Sequence, residues 1–275
     1  MTLPEWARAH GAPLFHAAIR QQPGDFEVRE ELGWALSGDG EHDYLLVEKT
    51  GANTEWVARQ LAKFADVPAR DVGYAGLKDR HAVTTQWFSV PRWHAPDWSG
   101  LEVEGVAVID VQQHVKKLRR GAHQSNAFKI VMRGDDIDGH AGTLAERVGA
   151  IRTHGVPNYF GEQRFGREGG NLQLADHWAT GRRLPRHKRS IAISTIRSFL
   201  FNESLSARVN DGSWSRILPG DTVNLDGTGS VFVADDIDAE LERRCAAMDV
   251  HPAGILAGQG YEAGPEAWRA ALDKA

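Results

Sequence analysis

The sequence of 275 residues contains a single cysteine, Cys245, so no disulfide can form within the chain. Metal sites built on several cysteines are excluded for the same reason, and this composition is typical of a reducing compartment. No apolar run approaches the ~18 residues of a membrane-spanning helix. The N-terminus also lacks the basic and apolar regions of a secretory signal. We therefore expect a cytoplasmic protein without a membrane span.

The sequence also lacks the motifs of several common enzyme classes. It has no HExxH, no paired Cys/His spacing and no Asp-rich calcium loop, and its twelve histidines form no recognisable metal site. It has neither GxGxxG nor GxSxG, and "GYAGLK" at 73–78 does not have the spacing of a nucleotide-binding Walker loop. We therefore expect no metal, no cofactor and no serine nucleophile.

The charge of the chain is uneven along its length. The net charge is −5, yet two basic runs stand at 114–123 and 181–190. Either run alone is equally well read as a solvated face. Two such runs in an acidic chain favour a phosphate-binding surface. Their basic residues are Lys116, Lys117, Arg119, Arg120, Arg182, Arg183, Arg186, Lys188 and Arg189.

Periodicity and turn residues predict an α+β fold, with 41% hydrophobic and 25% charged residues. The predicted strands are 26–31, 42–49, 81–90, 103–115 and 126–134, and the predicted helices are 53–65, 141–155, 194–212 and 236–248. A hairpin is expected within 218–236, turning at Asp226–Gly227. The glycine-rich stretch 156–171 is interpreted as a loop at a domain junction.

The stretch "GYAGLKDRHAVTTQWFSV" at 73–90 carries the clearest candidate for chemistry, because Asp79 stands between Lys78 and Arg80. One interpretation is a polar turn before a strand. The other is a catalytic carboxylate that the two neighbouring cations keep charged. A lone carboxylate among aromatic and glycine-rich segments, with basic runs nearby, suits chemistry on a nucleic-acid base extruded from its stack.

This stretch resembles the signature of the TruD family of tRNA pseudouridine synthases. Further family motifs are resembled in the same order by 25–31, 42–54, 116–133, 155–166, "LPGDTVNLDG" and 248–260. The resemblance runs from residue 12 through nearly the whole chain. It implies a catalytic domain over 1–154, with a mainly antiparallel mixed sheet flanked by helices, and a smaller α/β insertion domain over 155–275.

The resemblance also implies an activity and a set of site residues. Members of the family convert uridine to pseudouridine at position 13 of certain tRNAs, without a cofactor. By resemblance Asp79 is the catalytic residue, Phe26 and Asn126 line the uridine pocket, and Phe128 is an aromatic platform for the base. Lys78 and Arg80 would contact the substrate or hold Asp79 in its charged form. Lys116, Lys117, Arg119, Arg120, Arg182 and Arg183 would contact tRNA phosphates.

More ordinary roles remain open for several of these residues. Phe26 suits a strand core, Asn126 a turn, and Lys78 and Arg80 a charged surface. The chain also departs from the family pattern, which often has lysine where Arg20 or Gln21 stands here. A C-terminal segment that usually returns to the catalytic domain is not found in the sequence. Either the chain is truncated, in which case we expect the sheet to lack a strand, or the domain is completed differently.

Two other functions remain open alongside the isomerase, which we expect to act as a monomer. A tRNA-binding protein or RNA chaperone without catalysis would bind tRNA regardless of Asp79. A small-molecule lyase or hydrolase would show no salt-dependent affinity for RNA.

Overall fold

The computed structural model describes residues 3–254 and residue 256. Contacts along the backbone divide the chain into two compact units. Residues 15–140 form the first, and residues up to 14 together with the chain from 141 onward form the second. The helix that follows residue 140 therefore belongs to the second unit by its contacts. The domain boundary at 154/155 stays a prediction.

The unit 15–140 is built on a mixed sheet of six strands with one α-helix. The strands are β1 (Phe26–Glu31), β2 (His42–Thr50), β3 (Gly73–Tyr74), β4 (Val83–Pro91), β5 (Val106–His114) and β6 (Ser125–Ile130), and the helix is α1 (Thr54–Phe64). The strand order is β5-β2-β4-β1-β6, and β3 pairs with β4. Only the β1–β4 pair is parallel among the pairs of this sheet. The predicted mainly antiparallel mixed sheet is confirmed.

Helix α1 covers one face of this sheet because its apolar residues recur at helical spacing. Val57 and Leu61 are fully buried against Leu45, Val47 and Phe88 of the central strands. Full burial of such side chains contributes roughly 1.5–3 kcal/mol each.

The second unit contains the other helices and a small antiparallel sheet. Its helices are α2 (Ala141–His154), α3 (Glu162–Phe165), α4 (Gly170–Ala179), α5 (Arg186–Asn210) and α6 (Ala239–Ala246), and its strands are β7 (Asp221–Leu225), β8 (Val231–Ala234) and β9 (Val250–Ala253). The strand order is β8-β7-β9. One core, including Phe165, Leu172 and Phe199, joins α3, α4 and α5. A second core lies between the small sheet and α6.

Three parts of the second unit differ from the sequence expectation. The stretch 156–171, interpreted as a loop, contains helix α3 and the start of helix α4. Helix α5 begins eight residues before the predicted start at 194, and β9 is not among the predicted strands. Helix α2 ends where expected, because Gly155 adopts φ +73°, which suits glycine at a helix end. The family-like segment 248–260 lies only partly within the described residues. Residues 261–275 lie outside them.

Candidate active site around Asp79

Asp79 lies in the segment between β3 and β4 and presents its carboxylate to solvent. Its side chain is 56% exposed, and Oδ2 lies 3.3 Å from a guanidinium nitrogen of Arg20. The Arg20 guanidinium also stacks on the ring of Phe26, with its central carbon 3.8 Å from the ring centroid. Arg20 therefore links the candidate carboxylate to the aromatic side of the site.

The backbone of residues 76–79 is held from beneath by buried polar side chains. Gln86 donates to the carbonyl of Gly76 at 3.2 Å, and the amide of Lys78 donates to the hydroxyl of Thr54 at 2.9 Å. The Nζ of Lys49 donates to the carbonyl of Asp79 at 2.9 Å. These bonds fix the main chain of Asp79, although its carboxylate is exposed.

Lys78 and Arg80 contact other groups than the Asp79 carboxylate. The Nζ of Lys78 lies 2.6 Å from Oε2 of Glu30 in a pair that is almost fully buried. Arg80 donates from Nε to the carbonyl of Gly51 at 2.9 Å. The expectation that these two cations hold Asp79 in its charged form is therefore corrected, because Arg20 is the cation that contacts the carboxylate. Their predicted contacts with substrate stay a prediction.

The register between β1 and β6 brings the aromatic candidates onto one face of the sheet. Val28 pairs with Phe128, and Phe26 pairs with Ile130, so Phe26 and Phe128 are diagonal neighbours. Their ring centroids lie 5.9 Å apart at an angle of 46°. Phe26 is buried, whereas Phe128 is 59% exposed. Phe26 therefore lies in the core of the sheet, the more ordinary of its two predicted roles. The ring of Phe128 is exposed to solvent.

Asn126 lies on the same face, directly opposite Glu30 in the β1–β6 register. Its Nδ2 lies 3.1 Å from Nε2 of His123. Its Oδ1 is shielded from solvent and has no hydrogen-bond partner within the described part of the chain. An unpaired amide oxygen of this kind is an available acceptor for a donor from a bound molecule.

The first basic run forms the loop between β5 and β6 and packs beside the Asp79 segment. The amide of Gly121 donates to the carbonyl of Ala75 at 2.7 Å, and the guanidinium of Arg120 lies 3.6 Å from the centroid of the Tyr74 ring. A Cβ atom at Gly73 would collide with the carbonyl of Leu118, so the close approach of this loop requires glycine there.

All four basic residues of the first run are exposed. Lys116, Arg119 and Arg120 are exposed, and Lys117 donates to the carbonyl of Arg70 at 2.7 Å. Their exposure is compatible with the predicted phosphate contacts, which stay a prediction.

The second basic run lies in the other unit. Arg182 and Arg183 are exposed in the connection between α4 and α5, and Arg186, Lys188 and Arg189 are exposed in the first turn of α5. Three cations in the first turn of a helix oppose the helix macrodipole. The stability of helix α5 therefore does not explain why these cations stand at its start.

Arg20 is the site residue whose role the sequence analysis missed. It entered only as a departure from the lysine that the family often carries. A usable signal was nevertheless present, because Arg20 is a cation at or next to a position where the family pattern often has lysine, six residues before Phe26. Within residues 3–254, the structure contains no cluster of three metal-ligating side chains, and no helix there is long and apolar enough to cross a membrane.

Comparisons with known proteins agree on one family. The profile of the family described as tRNA pseudouridine synthase D (TruD) matches residues 9–176 and 171–274. The chain is 48% identical over 257 residues to tRNA pseudouridine synthase D of Methylococcus capsulatus, covering 92% of this chain and 72% of that protein. It is 47% identical over 253 residues to the protein of the same name from Nitrosococcus oceani, covering 90% and 70%.

A solved structure supports the fold. The crystal structure of a protein from Methanosarcina mazei, provisionally named tRNA pseudouridine synthase D, superposes with a TM-score of 0.69. The superposition covers 94% of this chain and 78% of that chain at 18% sequence identity.

Proposed function

Because the chain belongs to the tRNA pseudouridine synthase D family, we propose that it isomerises uridine to pseudouridine in tRNA, with Asp79 as the catalytic residue. The observation that carries this proposal is the exposed Asp79 carboxylate, which contacts Arg20 on a rigid backbone beside the Phe26–Phe128 pair. A polar turn without chemistry would not need this combination.

The reaction requires little beyond a carboxylate. The bond between C1′ and N1 of the uridine breaks, the uracil turns, and C1′ bonds to C5, while the hydrogen of C5 leaves as a proton and N1 gains one. An ionised carboxylate can attack C1′ or remove a proton from C2′. Both routes remain open for Asp79. Neither transfers electrons to an acceptor, so we expect no cofactor.

The side chains around Asp79 suit an extruded uridine. We expect the exposed ring of Phe128 to stack on the base, as aromatic side chains do in RNA-binding proteins. The buried ring of Phe26 supports Phe128 and Arg20 from behind. The unpaired Oδ1 of Asn126 can accept the N3–H of uracil. By family we also expect Lys78 and Arg80 to contact the substrate.

The basic residues would hold the tRNA backbone. Lys116, Lys117, Arg119 and Arg120 are exposed on the loop between β5 and β6, and Arg182 and Arg183 offer a further charged surface in the second unit. Phosphate contacts of this kind position an RNA without reading its sequence. By family we expect the modified nucleotide to be position 13, the protein to act as a monomer, and the compartment to be the cytoplasm.

Release of tritium tests the reaction. Transcripts of tRNA that carry 5-³H-uridine are incubated with the wild type and with Asp79→Asn, since forming the new C5 bond expels that hydrogen. We expect release by the wild type only, with tRNA binding retained by both. Binding of tRNA without release by either protein would favour a tRNA-binding protein without catalysis. Loss of salt-dependent binding would contradict both functions.

A further inference from the structure

Lys49 is a buried cation whose hydrogen-bond partners are all backbone carbonyls. It is the second-last residue of β2, its side chain points into the unit, and it is 1% exposed. Its Nζ donates to the carbonyls of Ala52 at 2.8 Å and Asp79 at 2.9 Å, and lies 3.5 Å from the carbonyl of Lys78. In the described part of the chain no carboxylate lies within 4.0 Å of it. Lysine is almost never fully buried unless it is paired.

Among the charged groups around Lys49, Asp79 is the anion that raises its pKa. Lys78 is paired with Glu30, Arg80 binds the carbonyl of Gly51, and Arg20 contacts Asp79. Burial lowers the pKa of Lys49 to about 8, the charge of Asp79 raises it, and the charge of Lys78 lowers it further. Asp79 is therefore the negative charge that stabilises the protonated form of Lys49.

We propose that Lys49 is a positioning residue for the reaction assigned to Asp79, acting from the buried side. It binds the main chain of the catalytic residue and supplies a positive charge that the exposed carboxylate needs nearby. This inference rests on the proposed function. Arg20 contacts the carboxylate itself, so two cations from distant parts of the chain bind Asp79, one at its side chain and one at its main chain.

Two uncharged side chains that bind the same segment provide the control for a purely structural role of Lys49. Thr54 binds the Lys78 amide and Gln86 binds the Gly76 carbonyl, so both hold the same segment without charge. Thr54→Val removes the bond to the Lys78 amide and the bond from the Thr54 hydroxyl to Gln86 at 2.8 Å, and it leaves every charge in place. If Lys49 acted only as a structural tie, Lys49→Met and Thr54→Val would have the same effect on the pH dependence of the reaction.

The pH dependence of kcat for tritium release separates these roles. In the wild type we expect kcat to fall as pH rises through about 8, where Lys49 loses its proton. Lys49→Arg keeps the charge and should extend the plateau to higher pH. Lys49→Met should lower kcat roughly tenfold or more, with little change in KM, since small misplacements of a catalytic group are costly. Thr54→Val should keep the wild-type profile. A wild-type kcat in Lys49→Met, or an unchanged profile in Lys49→Arg, would overturn the proposal.

A titration that needs no catalysis keeps the inference testable if a variant folds poorly. The ¹⁵Nζ signal of Lys49, assigned by its absence in Lys49→Arg, should titrate near pH 8 in the wild type. In Asp79→Asn the midpoint should move to lower pH by roughly half a unit or more, because the stabilising negative charge is gone. In Thr54→Val it should not move.

The two readouts distinguish failure of the inference from failure of the proposed function. An unchanged Lys49 midpoint in Asp79→Asn would overturn the inference even if the wild type releases tritium. The opposite result combines two observations: the Lys49 midpoint shifts in Asp79→Asn, and the wild type binds tRNA but releases no tritium. It would support the Lys49–Asp79 interaction and overturn the proposed function.

Discussion

Replacing Lys78 by methionine should destabilise the unit 15–140 strongly, because it leaves a carboxylate buried without its cation. Glu30 is fully buried, and its Oε2 lies 2.6 Å from the Lys78 ammonium group. Its other oxygen accepts the backbone N–H of Trp87, at 3.2 Å. Removing one partner of a buried ion pair costs about 3–5 kcal/mol. That is a large share of the ~5–15 kcal/mol by which a typical domain is stable.

Urea denaturation followed by circular dichroism measures this cost. Lys129→Met is the matched control, because Lys129 pairs with Glu27 at a similar distance of 2.8 Å on neighbouring strands but is exposed. Exposed pairs contribute about 0–1 kcal/mol. Adding Glu30→Gln to Lys78→Met should recover part of the loss, since the amide carries no charge. Equal costs for Lys78→Met and Lys129→Met would refute the reasoning.

Three other predictions follow from charged groups. Arg20→Met should lower kcat for tritium release by at least roughly tenfold through loss of the cation beside the candidate carboxylate, and Arg20→Lys should restore part of it. The pKa of Asp25 is lowered from 3.8 to about 2 by its bond to Arg133, so the stability that Arg133→Met removes should be fully present above pH 4 and vanish as pH falls through 2 in acid unfolding. Lys188→Gln with Arg189→Gln should weaken tRNA binding and reduce its salt dependence in filter binding, while slightly raising the melting temperature, because cations oppose the dipole at this helix start.

The strands of the first unit could be predicted because local sequence decides them. In β1 the buried residues Phe26, Val28 and Glu30 alternate with more exposed ones, which is the period of a strand with one buried face. Helix α1 follows from the spacing of Val57 and Leu61. In the second unit the local signals conflict. The glycines before α4 indicate a loop, and the basic residues that open α5 are unfavourable at a helix N-terminus although Pro185 stands at its cap position.

The contacts of Asp79 could not be predicted from its neighbours in sequence. Lys78 and Arg80 are adjacent to it, yet adjacency along the chain does not decide where side chains point. Lys78 turns inward because the buried carboxylate of Glu30 requires a cation. Arg20 contacts Asp79 although the two residues are 59 positions apart in the sequence. The backbone of Arg20 is in the left-handed region, with φ +59°. Both facts depend on the register of the sheet and on loop conformation, which a single sequence does not display.

Mapping of pseudouridine by carbodiimide modification and primer extension tests the central claim most directly. A tRNA transcript with uridine at position 13 is treated with the wild type or with Asp79→Asn, modified with the carbodiimide and reverse-transcribed. A matched transcript with cytidine at that position is the control. We predict a stop that reports pseudouridine at position 13 with the wild type alone, and none with the control transcript. An equal stop with Asp79→Asn, or no stop with a wild type that binds the transcript, would contradict the assignment of Asp79 as the catalytic residue of a tRNA pseudouridine synthase.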